Sequence, residues 1–165
     1  MTTLAVQRAQ SLLEWNRSSA HAECLFCGQQ NPTGFHLAFH AQDDGSVHGG
    51  FDCESSLQGY PETLHGGVVS ALLDAAMTNC LFSRGVVAVT AELTVRFVRP
   101  VRTSHSVELT AVVSKLRGSL CYLSAELTQG GDVAARARAT FMKVDRAGPG
   151  VETDDGRPGR NSGLS

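Results

Sequence analysis

The stretch LHGGVVSALLDAAMTNCLF, residues 64–82, decides how the rest of the sequence is interpreted. It is the most hydrophobic segment of the chain, it begins with a histidine and two glycines, and it carries a single acid, Asp74. Because its apolar side chains would occupy nearly every side of a helix, we expect a helix that the remaining chain encloses. The glycine pair, Ser70, Asp74 and Thr78 make the segment too polar to span a membrane.

The position of Asp74 in this segment indicates a functional site. An ionised carboxylate inside an enclosed helix is costly unless it faces a polar cavity or a partner. Gly67, Ser70, Asp74 and Thr78 fall close to one stripe of the helix, and their small or hydroxylated side chains leave room for a ligand. Unpaired N–H groups at the glycine-rich start attract partial negative charge. This pattern suits hydrolysis of a carbonyl compound.

Length and composition favour a single domain and exclude several partner classes. The chain has 165 residues, 42% of them hydrophobic, and a formal charge of -2 without any run of Lys or Arg. We therefore expect one domain, no nucleic-acid partner and no membrane partner. Five cysteines without a secretion signal argue against a disulfide framework and favour a reducing, cytoplasmic location.

Hydrophobic periodicity predicts the other elements. An amphipathic helix is expected in the first sixteen residues, a hairpin from residues 35–41 and 47–53, and four strands within 86–100, 106–116, 120–129 and 133–144. Short links between successive strands favour an antiparallel meander. The predicted organisation is an N-terminal helical segment at 1–20, a main domain at 21–145 and a disordered, Gly- and Pro-rich tail at 146–165.

The segment HAECLFC, residues 21–27, has spacings that a zinc site could use, through His21, Cys24 and Cys27. No second CxxC or HxxxH pair completes a tetrahedron, and His36 or His40 would have to serve from an expected strand. We therefore expect two half-buried thiols in a loop, with no metal and no cofactor.

Three segments together resemble a known family: CLFCGQQNPTGFHL at 24–37, GYPETLHGGVVSALLDAAM at 59–77 and VTAELTVRFVRPV at 89–101. They are similar to hotdog-fold acyl-CoA thioesterases of the phenylacetate-degradation (PaaI) type in the thioesterase superfamily. An acid nine residues after the histidine of an HGG pair is a fairly specific signal. The resemblance covers residues 24–143. It implies an α+β fold in which an antiparallel sheet of five or six strands wraps a central helix, and dimers whose sheets join edge to edge.

The resemblance also implies a thioester site at the dimer interface. Asp74 matches the acid that serves as nucleophile or general base, and Gly66 matches the glycine whose N–H polarises the thioester carbonyl. His65 lies beside Gly66 and Gly67 and shapes that loop. Thr90 matches a hydroxyl residue that the facing subunit supplies to orient water or the acid.

Other candidate residues concern substrate contacts. Many family members carry Asn or Gln six residues before the HGG histidine, where this chain has Gly59. Either Gln58 takes the place of that residue, or the second contact to the substrate carbonyl is missing. Basic side chains near strand or helix ends are candidates for the phosphates of coenzyme A: Arg84, Arg99, Lys115 and Arg117. Large apolar side chains either line an acyl pocket or belong to the core: Phe51, Tyr60, Met77 and Phe82.

We therefore predict a thioester hydrolase acting on an acyl-CoA or a related acyl thioester, assembled as a homodimer or homotetramer. A hotdog dehydratase is the enzymatic alternative, but it would pair its acid with a proton-shuttling histidine, and the helix carries none. A non-catalytic acyl-CoA binding protein is the third possibility, although it has no need of a buried acid. The residues do not indicate which acyl group is bound.

Overall fold

The computed structural model of the chain describes residues 3–144. The predicted tail at 146–165 lies outside these residues. Two α-helices and eight strands follow one another in this order: α1 Leu4–Ala20, β1 Phe39–Ala41, β2 Val47–Asp52, a 3-10 turn Ser55–Leu57, β3 Gln58–Tyr60, β4 Thr63–Leu64, α2 Gly66–Phe82, β5 Ala88–Phe97, β6 Ser106–Arg117, β7 Leu120–Gln129 and β8 Asp132–Lys143.

Helix α2 is the enclosed helix that the sequence predicts. Eleven of its seventeen residues are buried, and it packs against α1 and against strands of the main sheet. It begins after His65, its N-cap, and the left-handed Gly85 (φ 71°) closes its other end by donating its N–H to the carbonyl of Phe82 at 2.9 Å. Neither described helix has the length and hydropathy required to span a bilayer.

Six antiparallel strands form the main sheet in the order β1-β2-β6-β7-β8-β5. Strands β6, β7 and β8 are a meander, as predicted, but β5 pairs with β8 at the sheet edge and not with β6. The predicted four-strand meander is therefore wrong for β5. The physical reason is the link: residues 98–105 separate β5 from β6 and include Pro100, whereas residue pairs 118–119 and 130–131 form the other two turns.

The expected first hairpin is present, but its first strand is shorter than the alternating pattern predicts. Strand β1 begins only at Phe39, and the preceding residues fold back on the loop after α1. The N–H of Phe35 donates to the carbonyl of Leu25 and the N–H of Leu37 to that of Phe26, both at 2.8 Å. His36, with φ 50°, breaks the extended conformation between them.

Candidate active site

The acid and the hydroxyl residue predicted to act together are in direct contact. Thr90 Oγ1 donates a hydrogen bond to Asp74 Oδ1 at 2.7 Å. Asp74 is half-buried in the middle of α2, and Thr90 is exposed near the start of β5, where the pairing with β8 has a bulge between Thr90 and Glu92. The oxygen of Thr90 thus reaches the carboxylate from the sheet edge.

Both residues belong to the same chain, so the expectation that a facing subunit supplies Thr90 is wrong. The turn at residues 83–87 is short, and β5 contacts α2 from the same chain. A chain that leaves a helix through such a turn runs back beside it, which places the start of β5 near the middle of α2. Sequence spacing alone could not distinguish the two arrangements.

The surroundings of Asp74 favour a carboxyl group that holds its proton more strongly than usual. Burial raises the pKa of Asp74, while the hydrogen bond from Thr90 and the positive form of His21 act in the opposite direction. Burial also lowers the pKa of His21, against the attraction of Asp74. A carboxylate with a raised pKa is a better base near neutral pH than an ordinary surface aspartate.

His21 interacts electrostatically with Asp74, whereas sequence reasoning considered it only as a possible metal ligand. It follows α1 as its C-cap, and its ring meets that of Phe82 edge-on, with the centroids 5.0 Å apart. This proximity depends on how the end of α1 packs over α2. No local pattern in the sequence signals it.

The start of α2 forms a second polar centre. His65 Nδ1 accepts the N–H of Gly67 at 2.9 Å, so the histidine is a side-chain cap that fixes the first turn. Within residues 3–144, no acceptor takes the N–H of Gly66. A cavity of about 600 Å³ is lined in part by Gly66, together with Tyr60, His65, Phe97 and Pro100. A free donor beside an apolar cavity suits a carbonyl group with an attached acyl chain.

The two polar centres lie too far apart to act on one carbonyl within one chain. Eight residues separate Gly66 from Asp74, which corresponds to roughly 12 Å along the helix axis. On β5, Thr90 and Phe97 are likewise separated by about 23 Å of extended strand. The water that a base activates must lie within hydrogen-bond reach of the base and next to the carbonyl carbon. A complete hydrolytic site therefore requires a donor from elsewhere.

Comparison with known proteins finds similarity to one family. The family model of the thioesterase superfamily matches residues 62–135, slightly less than half of the chain, and this range includes His65, Gly66, Asp74 and Thr90. Acyl-coenzyme A thioesterase THEM4 of Bos taurus is 33% identical over 91 residues, covering 54% of this chain and 37% of the relative. Over the matched residues the chain is similar to the thioesterase superfamily. THEM4 of Rattus norvegicus is 30% identical over 91 residues, covering 54% of this chain and 39% of the relative. The chain thus spans less than half the length of these curated relatives.

Solved structures confirm the hotdog fold of this chain. The E. coli PaaI protein from the phenylacetic acid degradation operon superposes with a TM-score of 0.70 at 17% identity, over 86% of this chain and 96% of that protein. A hypothetical thioesterase of Streptococcus pneumoniae, crystallised with coenzyme A, gives a TM-score of 0.62 at 17% identity, over 66% and 88% of the two chains. A further thioesterase superfamily protein reaches 0.65 at 26% identity, over 70% and 60%.

The departure at Gly59 from the pattern of the resembling family has a local explanation. A Cβ atom at Gly59 would lie 3.2 Å from Cδ2 of His65, so the position packs against the capping ring. Gln58 Oε1 accepts the N–H of Glu62 at 3.1 Å, which leaves its Nε2 donor available, and Gln58 is not among the residues that line the cavity beside Gly66. Gly59 lines that cavity but has no side chain to act as a second donor.

Of the four basic candidates, the structure places only Arg99 at the cavity beside Gly66. Its guanidinium forms an exposed ion pair with Asp132 at 2.7 Å. Arg117 lies at the β6–β7 turn. In the strand pairing this turn is at the same end of the sheet as Ala88 and Lys143, whereas Phe97 is at the opposite end. Arg84 bonds to the carbonyl of Gly45 at the end of α2, also away from the cavity.

The apolar candidates separate into core and cavity. Met77 and Phe82 are fully buried in α2, and Phe51 is 9% exposed, so these three belong to the hydrophobic core. Tyr60 is 81% exposed and lines the cavity. Phe97, which the sequence suggested only as a strand residue, is 54% exposed and faces Gly66, where a Cβ atom would lie 3.4 Å from its ring.

Proposed function

We propose that this chain hydrolyses acyl-CoA, or a related acyl thioester, to a free acid and a thiol, at sites that two copies share. The carrying observation is the half-buried Asp74 held by the hydroxyl of Thr90 at 2.7 Å. The curated relatives named acyl-coenzyme A thioesterase and the coenzyme A complex of the S. pneumoniae neighbour support the substrate class.

In the proposed reaction Asp74 acts as a general base. Its carboxylate takes a proton from water, the water oxygen bonds to the thioester carbonyl carbon, and the carbonyl oxygen gains negative charge. The N–H of Gly66 from the other copy stabilises this oxyanion. When the C–S bond breaks, the thiolate leaves and receives the proton that Asp74 had taken. Thr90 keeps the carboxylate oriented, and His65 fixes the turn that presents Gly66.

Strand β5 supports the pairing of two copies. It lies at the edge of the sheet, and its side chains are largely exposed, including Val89, 39% exposed, and Phe97. A long, exposed edge strand is a template for pairing with another strand. If β5 pairs antiparallel with its copy about a two-fold axis at Thr94, Thr90 of one copy lies opposite Val98 of the other, next to Phe97. That register brings Asp74 of one copy towards Gly66 of the other, so one dimer has two complete sites.

The histidine near Asp74 does not favour a dehydratase. Among the described residues no hydrogen bond joins His21 to Asp74, and the ring of His21 packs against Phe82. The five cysteines are free thiols, which supports the proposal that the protein works in a reducing compartment such as the cytoplasm.

Subunit mixing tests both the reaction and the shared site. Asp74→Asn removes the base and Gly66→Pro removes the N–H donor. Proline is tolerated at the first helical position, and His65 already has the extended conformation (ψ 132°) that a residue before proline needs. Each variant alone should be nearly inactive in acyl-CoA hydrolysis measured by thiol release. Refolded together in equal amounts, they should recover about a quarter of wild-type activity, since half of the dimers are mixed and each has one intact site.

Two controls sharpen the test. Gly66→Ala keeps the N–H and should remain active, which separates loss of the donor from crowding against Phe97. A mixture of Asp74→Asn with Thr90→Val should show no more activity than the average of the two variants measured separately, because both residues serve the same site from the same chain. Recovery in that second mixture, or none in the first, would refute the shared site. A folded wild-type protein that binds acyl-CoA without releasing thiol would refute the hydrolase.

A further inference from the structure

A cluster of soft metal ligands lies where α1 ends, outside the proposed hydrolytic machinery. One ring nitrogen of His21 and the sulfur atoms of Cys24 and Cys27 lie within 4.8 Å of one another, and Cys27 Sγ lies 3.8 Å from His21 Nδ1. His21 and Cys24 are half-buried and Cys27 is buried. Among residues 3–144 no further His, Cys, Asp or Glu joins this group.

The backbone holds the two cysteines in a fixed turn. The N–H of Cys24 donates to the carbonyl of His21 at 3.1 Å, and that of Gly28 to the carbonyl of Cys24 at 2.9 Å. A Cβ atom at Gly28 would lie 2.3 Å from the nitrogen of Cys24 and 2.6 Å from the oxygen of Ala22, so only glycine fits. The sulfurs are thus positioned before any ligand binds, which lowers the entropic cost of binding.

Two buried polar side chains near Cys27 each have an atom without a hydrogen-bond partner among the described residues. Asn79 is fully buried and adjoins the Cys27 side chain; its Nδ2 donates to the carbonyl of Ala75, but its Oδ1 accepts from no described residue. Arg17 Nε, also near Cys27, is buried and finds no acceptor within residues 3–144. Unsatisfied buried polar atoms are rare in native proteins and call for an explanation. Asn79 Oδ1 is an acceptor that an ordered water or an ion can satisfy, whereas the N–H of Arg17 needs an acceptor such as a thiolate or a water.

We propose that His21, Cys24 and Cys27 bind one divalent, thiolate-preferring metal ion, with Zn²⁺ as the natural occupant. Two thiols release their protons to solvent on binding, and two thiolates with a neutral imidazole neutralise the charge of the ion. Three protein ligands leave the fourth tetrahedral position to water or to a small external ligand, on the side where His21 and Cys24 are partly exposed.

This proposal replaces the expectation that the two thiols are purely structural. The sequence argued against zinc because no fourth ligand could be found, and His36 is indeed not part of the cluster, since its Nδ1 contacts the carbonyl of Gly28 at 2.9 Å. Convergence of three ligands on a fixed turn removes the need for a fourth side chain. The metal proposal does not rest on the hydrolase proposal, and either can fail alone.

Cobalt titration of the untagged, reduced full-length protein tests the site. Co²⁺ should saturate at one ion per chain with thiolate-to-cobalt charge-transfer and tetrahedral absorption bands, and Zn²⁺ should remove both. Cys24→Ser and His21→Ala should weaken binding at least tenfold. Zinc should raise the melting temperature of the wild type and leave that of these two variants unchanged.

Matched controls are His40→Ala, an exposed histidine on β1, and Cys53→Ser, a buried thiol outside the cluster. Both should keep the cobalt bands. Far-UV circular dichroism without metal checks that each variant folds. A folded wild type without a charge-transfer band overturns the proposal, as does an unchanged band in Cys24→Ser.

Discussion

Replacing Thr90 with valine tests how the hydroxyl controls the base. Valine has a similar shape and removes only the donor that reaches Asp74 Oδ1 at 2.7 Å. A hydrogen bond to a charged group contributes about 1.5–3 kcal/mol. Because Thr90 is exposed, solvent screens the interaction and we take about 1 kcal/mol, which corresponds to roughly a fivefold loss in kcat/KM at neutral pH.

The pH dependence of kcat/KM shows in which direction Thr90 shifts the pKa of Asp74. The hydrogen bond from Thr90 holds down the pKa of Asp74 against burial, so its removal should raise that pKa further. The base is active when ionised, and activity should fall as pH falls through the pKa. The acid limb of kcat/KM for Thr90→Val should therefore move to higher pH, and the deficit should be smaller in alkaline solution.

Thiol release from acyl-CoA over a pH series measures this limb, with Thr90→Ser as the matched control that retains a hydroxyl. Serine should keep the wild-type limb. An acid limb that stays in place or moves to lower pH in Thr90→Val would refute the electrostatic role of Thr90. A loss in the serine variant that the valine variant does not show would point to packing of the methyl group.

Three further predictions concern the base, the substrate and the assembly. Asp74→Asn should lower hydrolysis by roughly a hundredfold or more. Thermal melting at neutral pH should show no loss of stability in this variant, because burial raises the pKa of Asp74 and so penalises its charge in the folded state. Arg99→Ala should raise KM for acyl-CoA but not for the corresponding acyl-pantetheine, which lacks the phosphates, whereas Arg117→Ala should change neither KM value. An equal rise in KM for both substrates in Arg99→Ala would exclude a phosphate contact. Thr94→Asp should place two carboxylates together at the proposed β5 pairing, so light scattering should show monomers, which should be inactive, while Ser114→Asp on β6 should remain dimeric. A dimeric, active Thr94→Asp protein would exclude pairing through β5.

Local patterns in the sequence were sufficient for most elements of the fold. The strands β5 to β8 and the enclosed helix α2 follow from periodicity, because each pattern reports which side of an element is buried. The position of β5 at the sheet edge did not follow, since alternation carries no information about which strand is the neighbour. The short β1 was missed because backbone bonds from Phe35 and Leu37 to the loop after α1 replace the expected ladder.

The candidate site was predictable in composition but not in arrangement. The HGG motif and Asp74 were found from the residues and their resemblance to the family, and the structure brings Thr90 to Asp74. The proposed division of the site, with Asp74 and Thr90 from one copy and Gly66 from the other, depends on the distance along α2 and on the direction of β5. Residue spacing shows neither. The electrostatic interaction between His21 and Asp74 depends on how the end of α1 packs near α2, for which the sequence had no local signal.

Helix α2 has a consequence for how substrate range can change. The same seventeen residues provide much of the hydrophobic core and carry Asp74, with eleven of their side chains buried. Almost any substitution there alters folding and chemistry together, so the helix is a poor place for variation. The exposed residues at 58–62 and 97–100 border the cavity without supporting the core. New acyl specificities should therefore arise in these two segments, and variant libraries restricted to them should yield folded proteins far more often than libraries in residues 72–82.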